Sequence, residues 1–159
     1  MKKICLQSKK VCYNIYPYYD KGMNHVIDHK TLLQRAHKAK ERAYAPYSNF
    51  KVGAAVLGKS GAVYTGCNVE NASYGASNCA ERTAIFKAIS EGESEIIAIA
   101  IVSSGNEFTY PCGICRQVIA EFMKEGEFIF ENASGEIQVI PLDKIFPYSF
   151  TKAHILGKE

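Results

Sequence analysis

The chain has 159 residues, 47% of them hydrophobic, with a formal net charge of +3, a length that suits one domain around one sizeable core. Lys and Arg are scattered rather than gathered into a dense basic run, so the electrostatic footprint of a nucleic-acid binder is missing and a small-molecule substrate is expected. Six cysteines in 159 residues fall well below the roughly 8–10% that marks a disulfide scaffold.

The basic start "MKKICLQSKKVCYNIYPYYDKG" is interrupted by Lys9 and Lys10 before any apolar run reaches signal-peptide length. No segment approaches the roughly 20 apolar residues of a membrane span. The expectation is a cytoplasmic protein with no membrane partner, in a compartment where clustered cysteines serve as metal ligands or catalysts. Residues 1–23 show no clear period and read as an N-terminal extension expected to be poorly ordered, with Met23 just before the first helix start and a single domain over 24–159.

From Asp28, a plausible N-cap, "HKTLLQRAHKAKERAYA" sets Leu32, Leu33, Ala36, Ala39 and Ala43 along one side, which predicts an amphipathic helix ended by Pro46. "FKVGAAVLG" and "AVYTGCNV", separated by Lys59-Ser60-Gly61, predict a hairpin. A helix is expected from about Ala80 to Glu91, with Gly92 as its stop. "EIIAIAIVSS" is a continuous apolar run suited to a buried central strand. A helix from about Gly113 to Lys124 and the strands "EFIFEN" and "EIQVIP" complete the order α-β-β-α-β-α-β-β, a mixed sheet with helices packed on it.

Cys79, in "NCAERTAIF", and Cys112 and Cys115, in "PCGICRQV", each stand at or just before the first turn of a predicted helix. Free N–H groups and the positive end of the helix dipole favour thiolate there, and thiolate is the form that binds zinc. The C-x2-C spacing supplies two ligands from one turn, and a third cysteine on another helix completes a tripod. Three protein ligands leave a position for water, as catalytic zinc sites do, whereas structural sites are closed by a fourth. None of His25, His29, His37 and His154 stands in a ligand-pair motif.

Glu81 lies two residues after Cys79, and residues two apart in a regular helix do not share a face. It reaches a metal only if Cys79 caps the helix, where the backbone is not yet regular; there it would act as general base and then general acid. Alone, Glu81 also reads as a first-turn acid favouring the helix dipole.

Taken together, "C-A-E-R" and "P-C-G-x-C-R-Q" resemble the zinc-dependent cytidine deaminases in their short, homotetrameric three-cysteine form, over about Thr31 to Phe150. The resemblance implies an α/β fold, a three-layer α-β-α sandwich with a central mixed five-stranded sheet. It implies one zinc ion per chain on Cys79, Cys112 and Cys115, and hydrolysis of cytidine and deoxycytidine to uridine and deoxyuridine with release of ammonia. A water or hydroxide on zinc would attack C4 of cytosine while Glu81 moves protons to N3 and the departing amine.

Further positions follow the same likeness. Arg82 would donate to the thiolates, offsetting their negative charge. Asn68 and Glu70 match the ribose-binding pair, Phe50 the aromatic against the pyrimidine, and Ala80 a substrate-binding position. Tyr74 and Phe150 match residues that help complete a neighbouring subunit's site in the tetramer. Two readings stand beside this one: a deaminase of a modified cytosine nucleoside such as blasticidin S, and a non-catalytic zinc-stabilised binding module, which would need a fourth protein ligand and no Glu81. Editing of cytosines in nucleic acid is disfavoured by a cysteine at position 79, where polynucleotide editors use histidine, and by the lack of a basic patch.

Overall fold

The computed structural model describes residues 2–6, 11–15 and 28–157. Strands β1 (Lys2–Leu6) and β2 (Val11–Ile15) pair antiparallel, with Lys2 opposite Ile15 and Leu6 opposite Val11; the irregular period of this stretch does not predict them. Residues 1, 7–10 and 16–27, Met23 and His25 among them, lie outside the described residues.

The main body follows the order α1 (His29–Lys40), β3 (Val52–Gly58), β4 (Val63–Cys67), α2 (Ala80–Ser90), β5 (Ile96–Ser103), α3 (Gly113–Phe122), β6 (Glu127–Glu131) and β7 (Ile137–Pro141). The α-β-β-α-β-α-β-β order read from the pattern is therefore observed. Two four-residue helices, α4 (Leu142–Ile145) and α5 (Ala153–Leu156), follow it. Neither is long enough to show a helical period.

The five strands form one mixed sheet in the order β4-β3-β5-β6-β7. Only β5 and β6 run parallel; every other neighbouring pair is antiparallel. A parallel pair needs a crossover of helical length, and α3 supplies it, so the N-terminal cap of α3 stands beyond the C-terminal end of β5. In open α/β sheets the crevice outside the carboxyl ends of strands is where ligands bind.

Alternation along the strands splits the core into two layers. Ala55, Ala98, Ala100, Val102 and Ile129 face Leu32, Leu33 and Ala36 of α1. Ala54, Val56, Ile99, Ile101, Phe128 and Phe130 face α2 and α3 through Ala84, Ile85, Ala88, Cys115 and Ile119. The result is the expected α-β-α sandwich, with large side chains under the two helices that carry the cysteines. Small residues let α1 come close: a β-carbon on Gly53 would lie 2.1 Å from the Ala36 carbonyl oxygen.

Two helix ends differ from the sequence reading. The first helix stops at Lys40 rather than continuing to Ala45, because Tyr44 leaves it to pair with the end of β4: its N–H donates to Asn68 O at 3.0 Å and its carbonyl accepts from Glu70 N at 2.8 Å. The apolar Ala43 and Ala45 thus continue the helical pattern without the helix. The third helix ends at Phe122, two residues early, where the Met123 N–H closes it on Ile119 O at 2.8 Å and Met123 turns extended into the buried layer.

Candidate metal and active site

Cys79 is the N-cap of α2, with extended backbone (φ −76°, ψ 156°), and Cys112 is the N-cap of α3 (φ −66°, ψ 168°). Cys115 lies fully buried in the first turn of α3. The side-chain Sγ atoms of the three lie within 4.8 Å of one another, with Cys79 and Cys112 4.0 Å apart. Two helices therefore point their free N–H groups toward one sulfur trio.

Cys79 and Cys115 are shifted in opposite directions. The Cys115 thiol hydrogen-bonds to Cys79 and, against the opposing effect of burial, with help from Arg82 and Cys112, holds Cys79 down to about 5. The same contact with anionic Cys79, together with burial, pushes Cys115 far above the usual thiol range. Zinc fits this donor set. Zn–S bonds of about 2.3 Å at tetrahedral angles set sulfurs about 3.8 Å apart, and soft thiolates are its preferred ligands. Among the described residues these three are the one group of cysteine, histidine and acidic side chains close enough to share an ion. A fourth protein ligand, which a closed structural site would require, is not among them.

Glu81 follows directly. It is the second residue of α2 and only 5% exposed. Burial raises its pKa, and the Cys79 charge adds to this, while its own backbone N–H and the Cys115 thiol oppose. The geometric condition set by the sequence is met: Cys79 caps the helix, and Glu81 turns inward beside Cys79 and Cys115. Arg82 reaches the same place, its Nη2 lying 3.8 Å from Cys79 Sγ and donating to Ser77 O at 3.2 Å.

A second group of residues is built around Val69, at the exit of β4. Val69 exchanges two backbone hydrogen bonds of 2.9 Å with Asn78, which ties the Asn68–Glu70 strand end to the residue before Cys79. The Asn68 amide accepts from Val52 N at 2.8 Å and donates to Phe50 O at 2.8 Å. The Glu70 carboxylate accepts from Tyr47 N at 2.9 Å, Ser48 N at 3.2 Å and the Ser48 hydroxyl. The hydroxyl contact, with the two amides and against burial, keeps Glu70 below the usual carboxylate range. Both side chains thus hold the 47–52 segment, and Phe50, 39% exposed, lies over Gly105, where a β-carbon would come within 2.9 Å of its ring.

Ala80 opens α2 fully buried. Tyr74, on a single 3-10 turn over Tyr74–Ala76, is 75% exposed and meets the Tyr47 ring edge-on at 6.0 Å. Phe150 is 58% exposed, stacks on His154, and its carbonyl accepts from Gln117 Nε2 at 2.7 Å. The described histidines are engaged elsewhere: His29 pairs with Glu127 at 2.6 Å, His37 with Glu131 at 2.9 Å, and His154 stacks on Phe150.

Arg116 is a site residue for which the sequence reading found no role. Its position, four residues after a helix-capping cysteine, is the signal: a long side chain there can fold back to carbonyls just outside the helix.

Comparison with known proteins agrees with the geometry. Residues 26–131 match the family described as "Cytidine and deoxycytidylate deaminase zinc-binding region". A cytidine deaminase of Halalkalibacterium halodurans is 48% identical over 126 residues, 79% of this chain and 96% of that protein. The crystal structure of a cytidine deaminase from Burkholderia pseudomallei aligns with a TM-score of 0.74 at 46% identity, covering 78% of this chain and all of that one. That from Mycobacterium tuberculosis aligns with a TM-score of 0.69 at 37% identity, over 79% and 98%. No helix among the described residues is long and apolar enough to cross a membrane. Thiol trio, sheet order and sequence identity agree over the same span, and the chain belongs to the zinc-binding cytidine and deoxycytidylate deaminase family of enzymes.

Proposed function

We propose that the chain hydrolyses cytidine and deoxycytidine to uridine and deoxyuridine, releasing ammonia. The observation that carries this reading is the buried Glu81 set beside a three-thiol cluster in which no fourth protein ligand is found among the described residues. When bound to Cys79, Cys112 and Cys115, zinc supplies the Lewis acidity that makes a water nucleophilic at neutral pH. Glu81 would take one proton from the attacking water and hand it to N3, then take the second, from the hydroxyl that water leaves on C4, and hand it to the departing amino group. Arg82 offsets the thiolate charge, and the buried setting around Glu81 keeps competing water from the proton path.

Asn68 and Glu70 bind the sugar. Asn68 spends one N–H on Phe50 O, and Glu70 takes a single hydrogen bond on Oε1. A donor on Asn68 and an acceptor on Glu70 are left over, which together match a hydroxyl pair. Phe50 packs on the pyrimidine, with Ala80 at the first turn of α2 beneath it. The active form is a homotetramer whose sites are completed by Tyr74 and Phe150 of neighbouring copies, a reading supported by the exposure of both rings. The catalytic unit is 24–159, with 1–23 an extension to it, and a cytoplasmic location suits a site that depends on reduced thiols.

The test is purified zinc-loaded protein with cytidine and with deoxycytidine, following loss of cytidine absorbance and ammonia release. One ammonia per uridine formed is expected, and Glu70→Gln should raise KM more than it lowers kcat. An inactive wild-type protein holding one zinc per chain would contradict the reading.

A further inference from the structure

We propose that Arg116 is the positioning residue of the metal turn: it fixes both peptide groups that flank Cys112 and anchors them to the C-terminal segment at Ile145. Its backbone N–H donates to Cys112 O at 2.9 Å, and its side-chain Nε donates to Pro111 O at 2.8 Å. The carbonyls before and after the Cys112 Cα are thus held by one residue. From the same guanidinium, Nη1 donates to Ile145 O at 3.1 Å, at the end of α4.

Cys112 has particular need of this support. It is exposed, its side chain makes no capping hydrogen bond, and its backbone is extended rather than helical. Pro111 before it is fully buried and has no N–H to tie the chain down. Its carbonyl lies outside the hydrogen-bond ladder of α3, so a buried acceptor would be left unpaired without Arg116. Gln117 extends the link by donating from Nε2 to Phe150 O at 2.7 Å. Adjacent residues of α3 thereby join the metal turn to two points of the 145–150 segment.

The planar fork of arginine reaches two carbonyls at once, which a lysine ammonium on its single flexible stem does less well. Charge and geometry can therefore be separated. Arg116→Lys keeps the charge and loses the two-point hold. The inference rests on the zinc reading of the thiol trio and not on the identity of the substrate.

The experiment is zinc release from the full-length, zinc-loaded chain to an excess of a chromophoric chelator. Arg116→Ala is expected to release zinc about tenfold faster or more, the size typical of losing a residue that orients a metal ligand. Arg116→Lys should fall between it and wild type. Val139→Ala, in the layer that faces α1, serves as a variant destabilised away from the metal turn and should release zinc at the wild-type rate. A wild-type rate in Arg116→Ala or in Arg116→Lys would overturn the proposal, as would equal acceleration in Val139→Ala. Should Arg116→Ala not fold, the Arg116→Lys rate decides by the same criterion. A wild-type chain that holds no zinc would instead overturn the metal reading itself.

Discussion

A β-carbon on Gly66 would lie 2.6 Å from the carbonyl oxygen of Ala80 and 2.4 Å from the backbone nitrogen of Ala84. The first turn of α2 is therefore seated directly on the bare backbone of β4. That turn carries Glu81 and follows the Cys79 cap, so the placement of both depends on a missing side chain in the sheet. Backbone atoms cannot swing aside as a flexible side chain would. Gly66→Ala must push the helix outward, at about 1–3 kcal/mol of overpacking. Thermal unfolding should show a lowered Tm, and zinc per chain should fall; an unchanged Tm with full zinc would contradict this seating.

Arg82 places its guanidinium 3.8 Å from Cys79 Sγ, beside a cluster whose donors become anionic on binding a metal. Arg82→Ala is expected to keep the far-UV circular dichroism of the wild type while zinc retention or turnover falls by about tenfold or more. Arg82→Lys should recover part of the loss through its charge. Metal analysis and steady-state rates on the same samples check this, and equal zinc with an equal rate would remove the role given to Arg82.

Much of this site is legible in the sequence, and the reason is local. Capping, the C-x2-C turn and the inward Glu81 are relations within a few residues, fixed by helix geometry alone. The sheet core was legible for the same reason, since "EIIAIAIVSS" and "EFIFEN" are apolar enough to admit only burial. What the sequence hides is where long side chains return. Asn68 and Glu70 match a ribose-binding pair, yet both also brace the 47–52 segment. Arg116 looks like a solvated charge and reaches Pro111 and Ile145 instead. The early end of α1 is hidden too, because the competing partner of Tyr44 comes from Asn68 and Glu70, more than twenty residues away.

The start of α1 provides a prediction in pH. Asp28 accepts from Lys30 N at 3.1 Å, from Thr31 N at 3.3 Å and from the Thr31 hydroxyl. The Thr31 hydroxyl, ahead of the backbone amides and opposed by slight desolvation, holds the carboxyl below the usual aspartate range. A lowered folded value means that the contribution is complete above the unfolded pKa and lost as pH falls through the folded one. The Tm difference between wild type and Asp28→Ala should be constant near neutral pH and shrink in acid. The two proteins differ by this one carboxyl, so a difference that stays constant into acid would contradict the capping role.

On the proposed function, Glu81 moves the protons at a zinc centre that it does not itself build. The measurement that tests it most directly is turnover of cytidine by Glu81→Gln, alongside zinc content on the same preparation. The replacement keeps size and helix position and removes only the ability to take and return a proton. Zinc per chain should equal that of the wild type while kcat falls by about 10²–10⁴-fold, the usual span for losing a general acid–base group. Wild-type turnover in Glu81→Gln with full zinc would contradict the account.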